Sequence, residues 1–324
     1  MANFDMAIDL GSDFVSVLTK DDDVLVKQYN YVAVSADGGE ALACGNGAVK
    51  LYKNNPQSVK LVRPMDECNI KNKDYADCYF NWLFTVLNED AFDNQRTRIL
   101  CVVPGGANAN EKKQIETMFV NLGAKAVAFT EAPKAAQRIV SQEYKSHSGI
   151  VADIGSAIAD FGCFTDGEMT GGFSLYLGGR QLDVAIKQFV EEQYNLHIEL
   201  PQAEKIKRQC SLYDNNVAQI LIEGVNYESR MDDKVEVPIR ALYDVIANYI
   251  NKYCVLIKSA VRSAQPEAAE KLKLGGIFLS GGVSKLEGIA DYMSKNTGLS
   301  ARVSSYGANS VIYGARLMLD EVFA

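Results

Sequence analysis

Two acidic motifs of the same form stand at the start and near the middle of the chain. They read Asp9-Leu10-Gly11-Ser12 and Asp153-Ile154-Gly155-Ser156, each set between apolar stretches. A glycine at such a turn lets backbone N–H groups approach an anion without an intervening side chain, and the carboxylate beside it can hold Mg²⁺ through its water shell. A single motif of this kind is more often a plain strand turn. Its repetition in matching context favours two phosphate-binding hairpins, with Asp9 and Asp153 as the metal-holding carboxylates.

A third glycine-containing turn follows an apolar stretch late in the chain. Residues 276–280 read as a buried strand, and Gly281, Gly282 and Val283 come directly after it. A ligand can approach the backbone closely at a turn between a strand and a helix, as phosphates and nucleotides do. The turn is a further candidate for ligand binding, although a tight structural turn would use the same residues.

Apolar patterning predicts the elements that must position these turns. In the first half it predicts strands at 6–10, 14–19, 24–31, 98–103 and 126–129 and helices at 75–87, 111–122 and 135–144. The pattern restarts near residue 150, so the second half looks like an internal repeat of the first. There it predicts helices at 182–193, 201–209, 239–261, 286–296 and 310–322, and strands near 217–225, 235–238 and 276–280. Alternating strands and helices are typical of an α/β fold.

Composition narrows the class of protein. The 324 residues exceed a usual single domain, and 48% hydrophobic with 23% charged residues is ordinary for a folded globular protein. A formal charge of -8 argues against nucleic acid as a partner. The N-terminal residues have no signal-peptide pattern, so a cytoplasmic location is expected. The seven cysteines lack CxxC spacing and the two histidines are far apart, which argues against a disulfide framework or a zinc site.

In their order and spacing, the three turns resemble the nucleotide signature of the actin superfamily, and within it the bacterial actins MreB and MamK. The resemblance covers nearly the whole chain. It includes further stretches that are similar to those of the family: Leu61-Val62-Arg63-Pro64-Met65, Leu177-Gly178-Gly179-Arg180-Gln181-Leu182-Asp183, Ala203-Glu204-Lys205-Ile206-Lys207, Leu286-Glu287-Gly288 and Gly314-Ala315.

This resemblance implies an actin-like α/β fold with two RNase H-like domains flanking a nucleotide cleft. Domain I would comprise 1–147 plus 309–324, with a small subdomain near 33–60, and domain II would comprise 148–308, with a small subdomain near 184–250. It also implies ATP and Mg²⁺ as cofactors. The implied nucleotide-binding residues are Gly11, Ser12, Asp13, Gly155, Ser156, Ala157, Gly178, Gly179, Arg180, Asp183, Glu204, Lys207, Gly281, Gly282 and Val283, with Asp9 and Asp153 on the metal.

The function implied is a homopolymeric cytoskeletal filament that serves cell shape or organelle positioning, with an adaptor protein linking it to cargo. The alternatives are a non-polymerising actin-fold adaptor like FtsA or PilM and a plasmid-segregating filament like ParM. A metabolic kinase of the same superfamily is disfavoured by chain length, and a complete Hsp70-type chaperone by the missing peptide-binding domain. Direct membrane binding is expected to be weak, because the loop at 88–93 carries three carboxylates around Phe92.

Hydrolysis of ATP is expected to be slow. MreB and Hsp70 relatives carry a Glu immediately before the Pro of their Glu-Pro motif, and here the run Thr130-Glu131-Ala132-Pro133 places Ala132 at that position. The second hairpin also lacks the threonines that usually assist. Glu131 is the candidate that could take over the catalytic role by a shift of one residue.

Overall fold

A computed structural model describes residues 4–20, 25–87, 96–213 and 218–324 of the chain. It divides into two compact units. The first unit combines Met1–Tyr144 with Asn309–Ala324, and the second spans Lys145–Ala308. The acidic loop at 88–93, on which the expectation about membranes was based, lies outside the described residues.

The first unit is built on a five-stranded mixed sheet. Its strands are β1 (Phe4–Leu10), β2 (Phe14–Thr19), β3 (Val26–Tyr29), β9 (Thr97–Val103) and β10 (Ala126–Glu131). Their order in the sheet is β10-β9-β1-β2-β3. Strands β1, β2 and β3 form an antiparallel meander, whereas β1, β9 and β10 run parallel. The centre of β1 is fully buried, as expected for a strand covered on both faces.

A small sheet is inserted between β3 and the first long helix. It has the order β5-β4-β6 and consists of β4 (Val32–Ser35), β5 (Ala41–Cys44) and β6 (Val59–Val62), with α1 (Gly45–Asn54) packed on it and a short pair β7 (Met65–Asp66) and β8 (Asn69–Ile70) after it. The other helices of this unit are α2 (Lys73–Leu87), α3 (Ala109–Asn121), α4 (Ala132–Tyr144), α10 (Ser310–Leu317) and α11 (Leu319–Val322).

The second unit repeats the same sheet topology. Its strands are β11 (Gly149–Ile154), β12 (Ala159–Thr165), β13 (Glu168–Leu175), β17 (Ile277–Ser280) and β18 (Ala301–Val303), in the order β13-β12-β11-β17-β18. Here β11, β12 and β13 form the antiparallel meander and β11, β17 and β18 run parallel. The two copies of the Asp-x-Gly-Ser motif therefore occupy equivalent places, each at the end of the central strand.

Further elements complete the second unit. They are α5 (Gly179–Tyr194), α6 (Leu200–Lys207), α7 (Ile239–Ser263), α8 (Pro266–Gly275), α9 (Ile289–Thr297), a 3₁₀ turn at Gly282–Lys285, and a sheet of β14 (Leu196–His197), β15 (Gln219–Asn226) and β16 (Asp232–Pro238). No helix among the described residues is long and apolar enough to cross a membrane.

Most of the strands and helices expected from the sequence are confirmed. Two expected helices have other bounds, and several elements, among them α8 and β18, were not expected. The helix expected at 286–296 starts only at Ile289, because Gly288 has a φ of 79° and a 3₁₀ turn precedes it. The closing helix expected at 310–322 is divided at Met318 into α10 and α11. The small sheet around α1 was not predicted from patterning, because its strands have only four residues each.

The closing helix packs unusually close to α4 in the first unit. A Cβ atom added at Gly314 would lie 1.8 Å from the carbonyl oxygen of Ala135, which belongs to the helix backbone. Gly314 is buried on α10, and Ala315 beside it is fully buried. The small side chains thus set the distance between these two helices.

We predict that Gly314→Ala destabilises the first unit by about 1–3 kcal/mol, because the backbone of α4 must move to accept the methyl group. The matched control is Gly47→Ala in α1, where the new Cβ would meet only the Cβ of Ala43 at 3.9 Å. That change should stabilise by up to about 1 kcal/mol through helix propensity. Denaturant unfolding followed by the fluorescence of Trp82, the single tryptophan and a residue of this unit, measures both. Equal effects of the two substitutions would contradict the prediction.

Candidate functional site

Each Asp-x-Gly-Ser aspartate lies at the carboxyl end of the central strand of its sheet. Asp9 is paired with Ser16 on β2 and with Val102 on β9. Asp153 is paired in the same way with Asp160 on β12 and with Ser280 on β17. Both aspartates are half-buried. The carboxyl ends of parallel strands are where α/β sheets commonly bind ligands.

The first hairpin loop, residues 11–13, is held by Asn30 and Arg63. The Asn30 side chain donates from Nδ2 to the carbonyl oxygens of Gly11 (3.2 Å) and Ser12 (3.3 Å), and its backbone N–H donates to that of Asp13 (2.9 Å). Arg63 Nε donates to the same Ser12 carbonyl at 3.1 Å. Three successive carbonyl groups of this loop are therefore turned towards these anchors.

The second hairpin loop, residues 155–158, is held by the backbone at the start of α5. The N–H groups of Gly179, Arg180 and Gly178 donate to the carbonyl oxygens of Gly155 (2.9 Å), Ser156 (2.8 Å) and Ala157 (3.1 Å). Again three successive carbonyl groups face an anchor. The two loops thus share one arrangement of their carbonyl groups. The hydrogen-bond donors are mostly side chains at the first loop and are backbone N–H groups at the second.

This arrangement makes both loops suitable for binding an anion. No peptide bond among the described residues is cis. In a trans peptide the C=O and N–H groups point in opposite directions, so turning the carbonyls towards the anchors leaves the N–H groups of residues 12–14 and 156–158 on the other side of each loop. Successive N–H groups that point one way form an anion-binding concavity. The backbone thus offers in both loops what a phosphate group requires.

Two buried tyrosines support the start of α5. Tyr249 on α7 donates from its hydroxyl to the carbonyl oxygen of Gly178 at 2.8 Å, and Tyr253 donates to that of Leu177. Burial raises the pKa of Tyr249 to about 12, so its hydroxyl keeps its proton even in mildly alkaline solution. A Cβ atom at Gly178 would lie 2.4 Å from the Ser156 carbonyl oxygen, which explains the glycine.

The late glycine turn lies against the same part of the second unit. Gly281 has a φ of 81°, and a Cβ atom there would lie 2.4 Å from the carbonyl oxygen of Ile154. The side chain of Val283 would be 3.2 Å from a Cβ at Gly179, so the turn covers the start of α5. Around Gly282 a Cβ would meet nothing within 4 Å. The structure therefore brings three predicted segments of the second unit together: the second hairpin, the start of α5 and the late glycine turn.

Asp183 and Lys207 join α5 to α6 beside this place. Lys207 Nζ lies 2.8 Å from Asp183 Oδ1 and donates to the carbonyl oxygen of Gly179 at 3.0 Å. Both side chains are largely buried, at 16% and 8% exposure. Glu204, one turn earlier on α6, is exposed and pairs with Arg208. Glu204 and Lys207 were both expected to bind the nucleotide, and of the two only Lys207 has a described contact with the start of α5.

Glu131 is the last residue of β10 and lies at the same end of the first sheet as Asp9. It pairs with Val103 on β9, and β9 pairs in turn with β1. Two strand spacings separate it from β1, which corresponds to roughly 10 Å. Its carboxylate is half-buried and lies 3.5 Å from Lys134 Nζ. Ala132 begins α4 and is buried.

The residues present fit a hydrated Mg²⁺ ion. Among the described residues no group of three or more His, Cys, Asp or Glu side chains is arranged to hold a metal directly. Mg²⁺ usually keeps several waters and takes only one or two carboxylates together with substrate phosphates. Asp9 and Asp153, at the strand ends beside the two hairpin loops, would meet that requirement.

Three residues that support the candidate site were not predicted from the sequence: Asn30, Tyr249 and Tyr253. Asn30 is 18 residues from Ser12, and Tyr249 is 71 residues from Gly178, so no local motif connects these residues to the segments that they hold. Asn30 fell inside the strand predicted at 24–31, and only the structure, which ends β3 at Tyr29, places it after the strand. Arg63 belongs to a stretch that resembles the family, but the sequence did not predict its contact with the first hairpin loop.

The fold and the paired hairpin loops define an actin-like protein. The structure superimposes with a TM-score of 0.90 on MreB 5 of Spiroplasma citri bound to AMPPNP, at 20% identity and with 99% of this chain and 97% of that one covered. It superimposes with a TM-score of 0.82 on the MamK double helical filament, at 16% identity and 99% coverage of both chains.

The sequence places the chain within this class. The MreB/Mbl protein family matches residues 3–324. The cell shape-determining protein MreB of Pasteurella multocida is 24% identical over 98% of this chain and 93% of its own length, and Mbl of Bacillus subtilis is 23% identical over 98% and 96%. The chain is a member of the MreB/Mbl family.

We predict that Asn30→Ala destabilises the first unit by about 2–4 kcal/mol, because it removes the side-chain donor of the Gly11 and Met65 carbonyl groups and one of the two donors of the Ser12 carbonyl group. Asn30 is 1% exposed and donates also to the carbonyl oxygen of Met65 at 2.7 Å. Asn55→Ala is the control, since its exposed side chain makes one bond at the end of α1. It should change stability by less than about 1 kcal/mol. Denaturant unfolding followed by Trp82 fluorescence compares them, and a wild-type midpoint for Asn30→Ala would show that the anchor is dispensable.

Proposed function

We propose that the chain binds ATP with Mg²⁺ and assembles into cytoskeletal filaments that serve as a scaffold for cell shape or organelle positioning. The observation that carries the proposal is the pair of hairpin loops, each with three carbonyl groups turned to an anchor and its N–H groups left for an anion. Membership of a family whose curated relatives are named cell shape-determining proteins supports it. The similar MreB 5 was solved with AMPPNP and with ADP, and MamK as a double helical filament.

The proposed roles follow the position of each residue. Loops 11–13 and 155–157 bind phosphate groups, and Asp9 and Asp153 hold Mg²⁺ through its water shell. The start of α5 with Gly178, Gly179, Arg180 and Asp183, the helix α6 with Glu204 and Lys207, and the turn of Gly281, Gly282 and Val283 bind the nucleoside. Mg²⁺ would neutralise phosphate charge when bound. We further propose small subdomains near 33–60 and 184–250.

The proposal extends to the cellular context. The filament is homopolymeric, lies in the cytoplasm without strong direct membrane binding, and is linked to its cargo by an adaptor protein. Support for the weak membrane binding is the acidic sequence at 88–93. A non-polymerising adaptor of the same fold is the alternative, and a plasmid-segregating filament is a second one. Fold alone does not separate these roles, because function resides in surfaces and sites added to the fold.

We predict that Mg²⁺ and ATP promote assembly and that Asp9→Ala or Asp153→Ala abolishes it, because each removes a carboxylate that holds the hydrated metal. Sedimentation with and without Mg²⁺-ATP, followed by electron microscopy of the pellet, measures assembly. Asp320→Ala is the control, since its carboxylate is 81% exposed and pairs only with Lys20 among the described contacts. If Asp9→Ala and Asp153→Ala both sedimented as wild type does, the metal assignment would be wrong. A wild-type protein that binds ATP but never sediments would favour the adaptor.

We also predict slow hydrolysis. Losing a water-positioning carboxylate commonly costs about 10²–10⁴ in rate, and the resemblance of the run 130–133 to the Glu-Pro motif implies that Ala132 stands in place of that carboxylate. Phosphate release by assembled wild-type protein should therefore be far below that of a typical MreB, and Ala132→Glu should raise it. Glu131→Ala tests the neighbouring carboxylate, which is half-buried beside Lys134. Brisk wild-type hydrolysis that disappears in Glu131→Ala would assign the catalytic role to Glu131.

A further inference from the structure

Asp13 brings a negative charge into a loop whose backbone suits a phosphate group. Its own N–H belongs to the row of donors on the binding side of the first hairpin loop, while its carboxylate is 29% exposed. Like charges a few ångströms apart near a protein surface repel each other, because water there screens them only in part. An unbalanced carboxylate in this loop would therefore oppose the binding of a polyphosphate.

Arg63 balances this charge and is itself held on three sides. Its Nη2 lies 2.9 Å from Asp13 Oδ1, and its Nε donates to the carbonyl oxygen of Ser12 at 3.1 Å. Its guanidinium carbon lies 4.7 Å from the centre of the Tyr31 ring, within cation–π distance. The planar fork of an arginine suits such a site, because each contact uses a different part of it. The cation is thus fixed beside the loop.

The second hairpin loop shows that the arrangement of the backbone needs no such pair. There Ala157 occupies the position equivalent to Asp13, and the carbonyl groups are held by backbone N–H groups alone. In the first loop, the Ser12 carbonyl also receives a bond from Asn30 besides that from Arg63. The ion pair is therefore an addition to the anchoring, and its contribution should be electrostatic.

We propose that Arg63 is a positioning residue that neutralises Asp13, and that the pair tunes the first hairpin loop to the charge of its phosphate ligand. The inference rests on the proposed nucleotide binding and deepens it. With Arg63 in place, the loop presents its N–H groups without a net negative charge. Without Arg63, the Asp13 carboxylate repels the ligand in proportion to the ligand's own charge.

The test compares ATP, ADP and adenosine as ligands of the full-length chain in the presence of Mg²⁺, by calorimetric titration below the concentration at which sedimentation detects assembly. Arg63→Met should weaken ATP binding by roughly tenfold and ADP binding by less, and it should leave adenosine binding unchanged. Asp13→Asn should strengthen ATP binding by a few fold, because the positive charge of Arg63 is then unopposed. The double variant Arg63→Met with Asp13→Asn should return to about the wild-type affinity.

The matched control is Arg138→Met, which breaks a surface ion pair with Glu321 in the same unit and should leave all three affinities unchanged. A purely structural role of Arg63 would weaken all three ligands alike and would not be rescued by Asp13→Asn, and either result overturns the inference. Asp13→Asn keeps a hydrogen-bonding side chain, so it decides the matter even if Arg63→Met folds poorly. If wild type binds none of the three ligands, the proposed function itself fails. If wild type binds ATP and the variants do not discriminate by charge, only the inference fails.

Discussion

Hydrogen bonding of the backbone carbonyl groups in the two hairpin loops is the constraint on which the candidate site depends. A buried carbonyl without a donor costs free energy comparable to a lost hydrogen bond, so each loop must find donors on one side. Once those donors are fixed, the planarity of the peptide bond decides where the N–H groups point. The chemistry of the site is therefore set by what lies behind the loops, and the residues in contact with a ligand need only be small or short.

The two units solve this problem with different parts. In the second unit the start of α5 supplies three backbone donors, and the buried hydroxyls of Tyr249 and Tyr253 hold that segment from below. In the first unit the chain leaves β3 for the small sheet, and among the described contacts Asn30 and Arg63 supply the donors to the loop carbonyl groups. Side-chain anchors tie the first loop to both segments that lead into and out of the small sheet, since Asn30 precedes β4 and Arg63 follows β6.

Charge is balanced locally around both loops. Asp183 is paired with Lys207 at the start of α5, and Asp13 is paired with Arg63 at the first loop. Partly buried carboxylates near a phosphate site would otherwise oppose an anionic ligand. The proposed function assigns a hydrated cation to Asp9 and Asp153, which are half-buried at the ends of the central strands. The two ion pairs can thus stabilise their own unit and also reduce the repulsion that a polyphosphate would meet.

The sequence by itself determined the α/β class, the internal repeat and the places of the three glycine turns, because apolar periodicity and glycine have local physical meanings that need no distant contact. It could not show that Asn30 holds the first loop or that Tyr249 and Tyr253 hold the start of α5. These residues are isolated polar positions, and their partners are carbonyl groups of the backbone, which every residue possesses. The sequence also placed Asp13 only among the nucleotide-binding residues. It could not show that the Asp13 carboxylate forms an ion pair with Arg63. Only the tertiary structure decides such matters, because a hydrogen bond depends on distance and direction, and these are fixed by how the strands and helices pack.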